Sequence, residues 1–139
     1  MPSTSQLAYI AGNGIGLVLA GLYTVAGQAH FTNRLTPGLA ANINEMTHNT
    51  HKAFWFLGLG FENLKMVLGG FDLLGAAYLW RAETRRTGLL IAVVGFSGGL
   101  YGQIYNQDDL SQVGLFLGLA VAGYYLLSSS SGRPENKLE

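Results

Sequence analysis

Long stretches without charged residues alternate with short polar segments along this chain. No Asp, Glu, Lys or Arg occurs in residues 1–33, 87–107 and 110–132. Each stretch is long enough for a helix that crosses the ~30 Å hydrocarbon core of a bilayer. A further apolar segment is interrupted only by Lys65 and Asp72. The pattern predicts membrane helices at about 7–31, 62–81, 88–106 and 112–127.

The segment 32–61, between the first two predicted helices, is polar at first and aromatic at Phe54, Trp55 and Phe56. This composition favours an interfacial cap with Trp55 at the level of the lipid headgroups over another membrane span. We therefore predict an all-α fold: an integral membrane four-helix bundle, one domain over 1–139, with an interfacial cap between helices one and two.

Glycines spaced four residues apart predict how the helices pack. Gly95 and Gly99 form one such pair, and Gly114 and Gly118 form another. Small residues at this spacing let two helix backbones approach closely in a membrane. We expect Gly99 and Gly118 to lie at helix contacts, and glycine faces of this kind also allow a homo-oligomer.

Composition narrows the functions. Charged residues make up 12% of the chain and hydrophobic residues 49%, whereas soluble domains are about 25% charged. There is no cysteine, which excludes thiolate nucleophiles, disulfide exchange and iron–sulfur clusters. The net charge is zero, so the chain lacks the basic surface that a nucleic-acid partner would need.

Charges outside the predicted helices set the expected topology. In membrane proteins, the loops on the cytoplasmic side carry an excess of Lys and Arg. The acidic pair at 108–109 falls on the other side. A multi-pass protein with both termini in the cytoplasm follows from the basic residues Arg81, Arg85, Arg86, Arg133 and Lys137.

The second predicted helix carries the strongest chemical signal. Helical periodicity places Glu62, Lys65 and Asp72 on one narrow stripe. Ionisable groups at membrane depth are costly and mark functional sites by default. We predict that these three residues are catalytic together with His30, and the alternative is an internal Glu62/Lys65 ion pair with Asp72 serving helix association.

Neighbouring helices can present further polar groups to this stripe. They would form a pocket that opens on the non-cytoplasmic face, narrows towards Asp72 and lies under the cap. The residues expected to position substrate or water there are Tyr23, Tyr101, Gln103 and Asn106.

A metal site is the weaker alternative. Glu45, His48 and His51 have helical spacing and suitable donor atoms, but no further ligand lies nearby in sequence. We interpret this segment as a solvated polar loop. No metal is expected, and no cofactor either.

From residue 65 onward the chain resembles the DoxX-like family of small four-helix membrane proteins. The resemblance lies in KMVLGGFDLLGAAYLW at 65–80, the turn RRTG at 85–88, and LY at 100–101 followed by NQDD at 106–109. It implies the four-helix fold and carries no catalytic signature. In size and character the chain is also similar to small membrane-bound tailoring enzymes of fungal polyketide and meroterpenoid pathways, including hydrolases that open polyene epoxides.

Two carboxyl groups in unlike surroundings suit general acid–base chemistry. The sequence therefore favours a cofactor-independent enzyme of a biosynthetic pathway that acts on a lipophilic small molecule from the bilayer, by epoxide hydrolysis, ring opening or isomerisation. The alternatives are a non-enzymatic membrane accessory or assembly protein and a lipid- or quinone-binding protein.

Overall fold

Five α-helices make up residues 1–131, which are the residues that the computed structural model describes. A single turn of 3-10 helix at Trp55–Leu57 lies between the second and third of them. The α-helices are α1 (Thr4–Phe31), α2 (Pro37–Ala53), α3 (Phe61–Trp80), α4 (Arg85–Asn106) and α5 (Ser111–Ser131).

Local chemistry explains where several helices begin and end. Ser3 and Gln6 form a reciprocal capping box at the start of α1. α4 ends at Gln107, whose φ of 59° is the left-handed conformation that terminates helices. Before α5, the Asp109 carboxylate accepts hydrogen bonds from the Ser111 backbone N–H and hydroxyl, and these bonds lower the pKa of Asp109.

The prediction of a four-helix bundle is wrong, because the segment assigned to a cap forms a helix of its own. Pro37 starts α2, where its fixed φ favours helix and no backbone N–H is needed. Ala40, Ile43 and Thr47 then recur at helical spacing and are buried against the rest of the protein. This apolar stripe is narrow, and the polar residues between its members hide it in the sequence.

Three of the five helices in the described residues, α1, α4 and α5, are long and apolar enough to cross a membrane. The third helix, α3, carries Glu62, Lys65 and Asp72 and is not among these three. Membrane localisation rests on α1, α4 and α5. The predicted cytoplasmic termini stay a prediction, and Arg133 and Lys137, on which it partly depends, lie outside the described residues.

Neighbouring long helices run antiparallel, as their closest contacts show. Gly27 of α1 meets Leu73 of α3, Gly88 of α4 meets Leu79 of α3, and Gly12 of α1 meets Leu127 of α5. As a consequence α1 and α4 run in the same direction, and α2 lies at the end of the protein where both terminate. The buried core between the long helices consists of Leu19, Ala20, Tyr23, Ala76, Leu79, Leu89, Ala92, Ala120 and Leu127.

The glycines differ in what they contact. A methyl group added at Gly88 would lie 2.8 Å from the backbone nitrogen of Leu79, so this position accepts only glycine without a shift. At Gly99 an added methyl would touch only Val113, at an ordinary 3.4 Å, and at Gly118 it would meet nothing within 4 Å. The expected helix contact at Gly118 is therefore wrong within the described chain, because this part of α5 faces outward.

Arg85 is buried at the first turn of α4 and is only 6% exposed. Its guanidinium donates to the carbonyl oxygens of Leu79, at 2.8 Å, and Trp80, at 3.1 Å, and to the side chain of Asn13. An arginine that the sequence assigned to a charged cytoplasmic turn thus caps the end of α3 and ties it to α1.

Candidate functional site

His30 and Asp72 form the centre of the polar site. The Nε2 atom of His30, in the last turn of α1, lies 3.4 Å from Oδ2 of Asp72 in the middle of α3. The His30 side chain is 7% exposed and that of Asp72 is 21% exposed. The two helices come this close because Gly69 of α3 faces His30, and a methyl group there would lie 2.7 Å from His30 Cβ.

The second nitrogen of the imidazole is left without a partner. His30 Nδ1 is buried, and no hydrogen bond reaches it within residues 1–131. A carboxylate beside Nε2 favours the tautomer with its proton on Nε2. The Nδ1 atom then keeps its lone pair, which is what a general base requires.

Tyr23 extends the site into the interior of the bundle. It lies seven residues before His30 and therefore on the same face of α1. Its ring packs edge-on against Phe96 of α4, with centroids 5.4 Å apart. Gly95 leaves room for the phenol, since an added methyl would lie 2.9 Å from the Tyr23 hydroxyl oxygen. A methyl group on Gly75 of α3, three residues after Asp72, would lie 3.3 Å from the Tyr23 ring, so this ring packs against α3 within one turn of Asp72.

Glu62 and Lys65 stay apart from each other and from the His30/Asp72 pair. Glu62 is exposed in the first turn of α3, where the helix dipole favours an acidic side chain. Lys65 is half-buried. Neither forms an ion pair within the part of the chain that the structure describes. Their catalytic role stays a prediction, and the internal Glu62/Lys65 ion pair of the alternative interpretation does not form there.

Two of the predicted positioning residues on α4 bind α2. The Tyr101 hydroxyl donates to the carbonyl oxygen of Ala53 at 3.0 Å. The Asn106 amide donates to the carbonyl oxygen of Asn49 at 2.8 Å. Both side chains hold α2 across the end of the protein where α1 and α4 terminate. Sequence reasoning assigned these groups to a substrate because it did not predict a helix at α2.

Gln103 lies on α4 between those two anchors. Its Oε1 atom is buried, and no hydrogen-bond partner for it occurs in residues 1–131. An unpaired buried amide oxygen costs about 1–3 kcal/mol relative to a paired one. Gln103 is therefore the predicted positioning residue that keeps a free polar atom.

The histidines of α2 are engaged in aromatic contacts. The segment with Glu45, His48 and His51 is helical, so its interpretation as a loop is wrong. His48 stacks on Phe61 with ring centroids 4.0 Å apart, and His51 Nε2 lies 2.8 Å from the carbonyl oxygen of Leu59. Among the described residues no group of three or more His, Asp or Glu side chains could hold a metal ion.

The surface also carries two shallow grooves, of about 430 and 300 Å³. Both lie between the start of α1 and the end of α5, at the opposite end of α1 from His30, and residues such as Ser5 and Tyr125 line them. The His30/Asp72 pair lies away from these grooves.

Replacing Gly69 with alanine should separate α1 from α3. The new methyl would lie 2.7 Å from His30 Cβ and from the Phe31 ring, and the Cβ cannot move without the α1 backbone. We expect a loss of about 1–3 kcal/mol in the free energy of unfolding, measured by thermal unfolding in detergent. Gly70→Ala is the matched control, because a methyl there meets nothing within 4 Å. Equal melting of the two variants would contradict the close approach of the helices.

Two curated fungal proteins are similar to this chain. The cyclic ether formation enzyme gkaZ of Penicillium citrinum is 29% identical over 93 residues, which are 63% of this chain and 73% of gkaZ. The cyclic ether formation enzyme xenC of Xenoacremonium sinensis is 32% identical over 89 residues, which are 63% of this chain and 68% of xenC. No protein-family model matches the chain, and no solved structure matches it.

These relatives bear on the two resemblances that the sequence suggested. The general similarity to fungal tailoring enzymes is confirmed. The resemblance to DoxX-like proteins gains no support, since no family model matches.

Proposed function

Because the chain belongs to the family of these cyclic ether formation enzymes, we propose that it is a membrane-embedded tailoring enzyme that closes a cyclic ether in a lipophilic small molecule. The observation that carries this proposal is the buried His30/Asp72 pair with an unpartnered Nδ1. It supplies the base that an oxygen nucleophile needs, on a helix long and apolar enough to cross the membrane.

The reaction is the opening of an epoxide by a hydroxyl group of the same molecule. The O–H bond of the hydroxyl breaks and its proton goes to Nδ1 of His30. The hydroxyl oxygen forms a bond to one epoxide carbon while the bond between that carbon and the epoxide oxygen breaks. The released alkoxide takes up one proton and becomes a hydroxyl group, and the His30 imidazolium gives up the proton that balances it and returns to the neutral imidazole. Substrate and product are isomers, so no oxidant or reductant is required.

Each residue of the pair has a distinct part in this reaction. His30 removes the proton, and Asp72 holds the Nε2–H and stabilises the imidazolium that forms. The buried position of His30 excludes water, which strengthens the attraction between imidazolium and carboxylate. In this proposal the Tyr23 hydroxyl donates a hydrogen bond to the epoxide oxygen as negative charge develops on it.

The proposal is tested with a lipophilic probe in membranes that contain the protein. A long-chain 4,5-epoxy alcohol closes to a tetrahydrofuran by internal attack, or opens to a triol if water attacks. In ¹⁸O-labelled water only the triol gains the label. We expect the wild-type chain to accelerate formation of the unlabelled ether.

His30→Gln and His48→Gln form a matched pair for this assay, because His48 stacks on Phe61 away from Asp72. The first variant should lose the acceleration and the second should keep it. Ether formation at the same rate in His30→Gln and wild type would overturn the role of His30. A labelled triol as the main product would make the protein a hydrolase, and a lack of turnover by the wild type would favour a binding or accessory role.

A further inference from the structure

The length of α1 sets the depth of His30 in a membrane. α1 has 28 residues and is therefore about 42 Å long, whereas the hydrocarbon core of a bilayer is about 30 Å thick. A helix of this length that is centred in the bilayer leaves about four residues at each end outside the core. His30 is the second-last residue of α1. It therefore lies where acyl chains meet headgroups, far from the middle of the membrane.

The register of α4 gives the same level. Tyr23 of α1 packs against Phe96 of α4, and the two helices run in the same direction. His30 lies two helical turns after Tyr23, so it is level with Gln103, two turns after Phe96. That level is about 5 Å before the end of α4 at Asn106. Both helices thus terminate within one turn of the level of His30.

Charged side chains form two groups, one at each end of the long helices. The group at the α2 end, where α1 and α4 terminate, consists of Arg34, Glu45, Lys52, Glu62, Lys65, Asp108 and Asp109. The group at the opposite end consists of Arg81, Glu83, Arg85 and Arg86. Among residues 1–131, Asp72 is the one charged residue between the two groups. Its side chain tilts towards the N-terminus of α3, and hence towards the α2 end, where it meets His30.

Aromatic side chains lie beside the pair at this level. Tyr101 precedes Gln103 by two residues on α4, and its ring contacts Phe54 and Phe56, with centroids 5.1 and 6.4 Å away. Trp55, between these two phenylalanines, is 70% exposed. Trp and Tyr are enriched where headgroups begin, because their rings are apolar while their N–H and O–H groups need polar partners. The aromatic residues therefore indicate the same bilayer boundary as the helix ends.

The surface next to the pair is apolar. Phe31, which follows His30, is 52% exposed, and Leu73, which follows Asp72, is 39% exposed. The side chain of Asp72 is itself 21% exposed, so part of it lies at the protein surface. A molecule dissolved in the bilayer thus meets a polar pair with hydrocarbon side chains beside it.

We infer that the boundary between acyl chains and headgroups runs at the level of His30 and Asp72, and that the substrate is an amphiphile whose hydroxyl and epoxide lie at its polar end. The depth of the pair stands on the structure alone, whereas the substrate class rests on the proposed function. An amphiphile keeps its oxygen groups at this boundary and its hydrocarbon among the acyl chains. It therefore presents the reacting groups to His30 without leaving the bilayer.

The depth is measured without any substrate. The chain has no cysteine, so single introduced cysteines can carry a nitroxide spin label in liposomes. Phe31→Cys reports the level of the pair. Val18→Cys is the matched control, because Val18 is 65% exposed on the same helix and lies about 20 Å deeper. We expect a water-soluble nickel chelate to collide with the label at Phe31, whereas dissolved oxygen reaches the label at Val18 and the chelate does not.

A second label controls for local distortion, because the Phe31 ring packs against Gly69. Tyr105 is half exposed near the end of α4, and Tyr105→Cys should report the same depth as Phe31→Cys. If Phe31→Cys does not fold, Tyr105→Cys decides alone. Shielding of these labels from the chelate to the extent seen at Val18 would overturn the position of the boundary.

Two isomeric probes test the substrate class. Each is a long-chain trimethylammonium amphiphile whose charged end stays among the headgroups, and each carries the same epoxy alcohol unit. The unit adjoins the charged end in the first probe and the methyl end in the second. We expect kcat/KM for ether formation to be at least about tenfold higher with the first, because the second must draw hydrocarbon out of the core to reach His30.

The outcomes separate this inference from the proposed function. Equal rates for the two isomers, or closure of neither by a protein that closes the uncharged epoxy alcohol, would overturn the substrate class and leave ether formation in place. A protein that closes none of the three compounds would overturn the proposed function and the substrate class together. The depth from the spin labels is independent of turnover and would still stand.

Discussion

Replacing Asp72 with asparagine is expected to slow ether formation by about 10²–10⁴-fold, the range for loss of a functioning general base. The amide is nearly isosteric with the carboxylate, so the fold should persist. Its NH₂ group, however, can donate to Nε2 of His30, which lies 3.4 Å from the Asp72 carboxylate. The imidazole proton then moves to Nδ1, and the nitrogen that acts as the base loses its lone pair.

The measurement is the initial rate of conversion of the epoxy alcohol, normalised to folded protein from size-exclusion chromatography in detergent. Asp108→Asn is the matched control, because it makes the same carboxylate-to-amide change at an exposed position after the end of α4, outside any described ion pair. Its rate should stay within a few-fold of wild type. If Asp72→Asn is as active as Asp108→Asn, Asp72 does not orient a base.

The largest expected effect on stability is at Arg85. Arg85→Met keeps much of the side-chain volume but leaves the carbonyl oxygens of Leu79 and Trp80 and the Asn13 side chain without their donor. Buried acceptors that lose a charged donor cost more than surface ones, and we expect a loss of about 2–4 kcal/mol in the free energy of unfolding. Thermal unfolding in detergent measures it.

Arg81→Met is the control for the change of charge, since Arg81 is exposed in the same turn. Its melting temperature should stay close to that of wild type. Arg85→Lys should be intermediate, because an ammonium group has donors but lacks the planar fork that reaches three acceptors. Equal stability of the methionine variants at both positions would show that Arg85 does not hold α1 and α3 together.

The positions at which the long helices begin and end could be predicted from the sequence, because they depend on local hydropathy. The predicted helices at 7–31, 62–81, 88–106 and 112–127 agree with α1, α3, α4 and α5, although α5 runs on to Ser131. In the last turns of α5, the hydroxyls of Ser129 and Ser130 donate hydrogen bonds to carbonyl oxygens three residues earlier in the helix. The helix α2 escaped prediction because a stripe of a few small residues is buried only once other helices cover it.

The candidate site could also be predicted from the sequence only in part. Periodicity alone placed Asp72 on a polar stripe of α3 and Tyr23 and His30 on one face of α1, since a residue's face follows from its position in a helix. The sequence grouped Asp72 with Glu62, Lys65 and His30, and among the described residues His30 is the one that forms an ion pair with it.

Tertiary structure decided that partnership. The contact between Asp72 and His30 depends on the close approach of the α1 and α3 backbones. Gly69 allows this approach because it faces His30, whereas the adjacent Gly70 faces open space. The sequence determined by itself which segments are helical and apolar, because each residue's hydropathy and helical position are local. Only the tertiary structure decided which polar side chains bind α2, which arginine is buried, and which nitrogen of the His30 imidazole has no partner. These outcomes depend on distances between segments that are far apart in the chain.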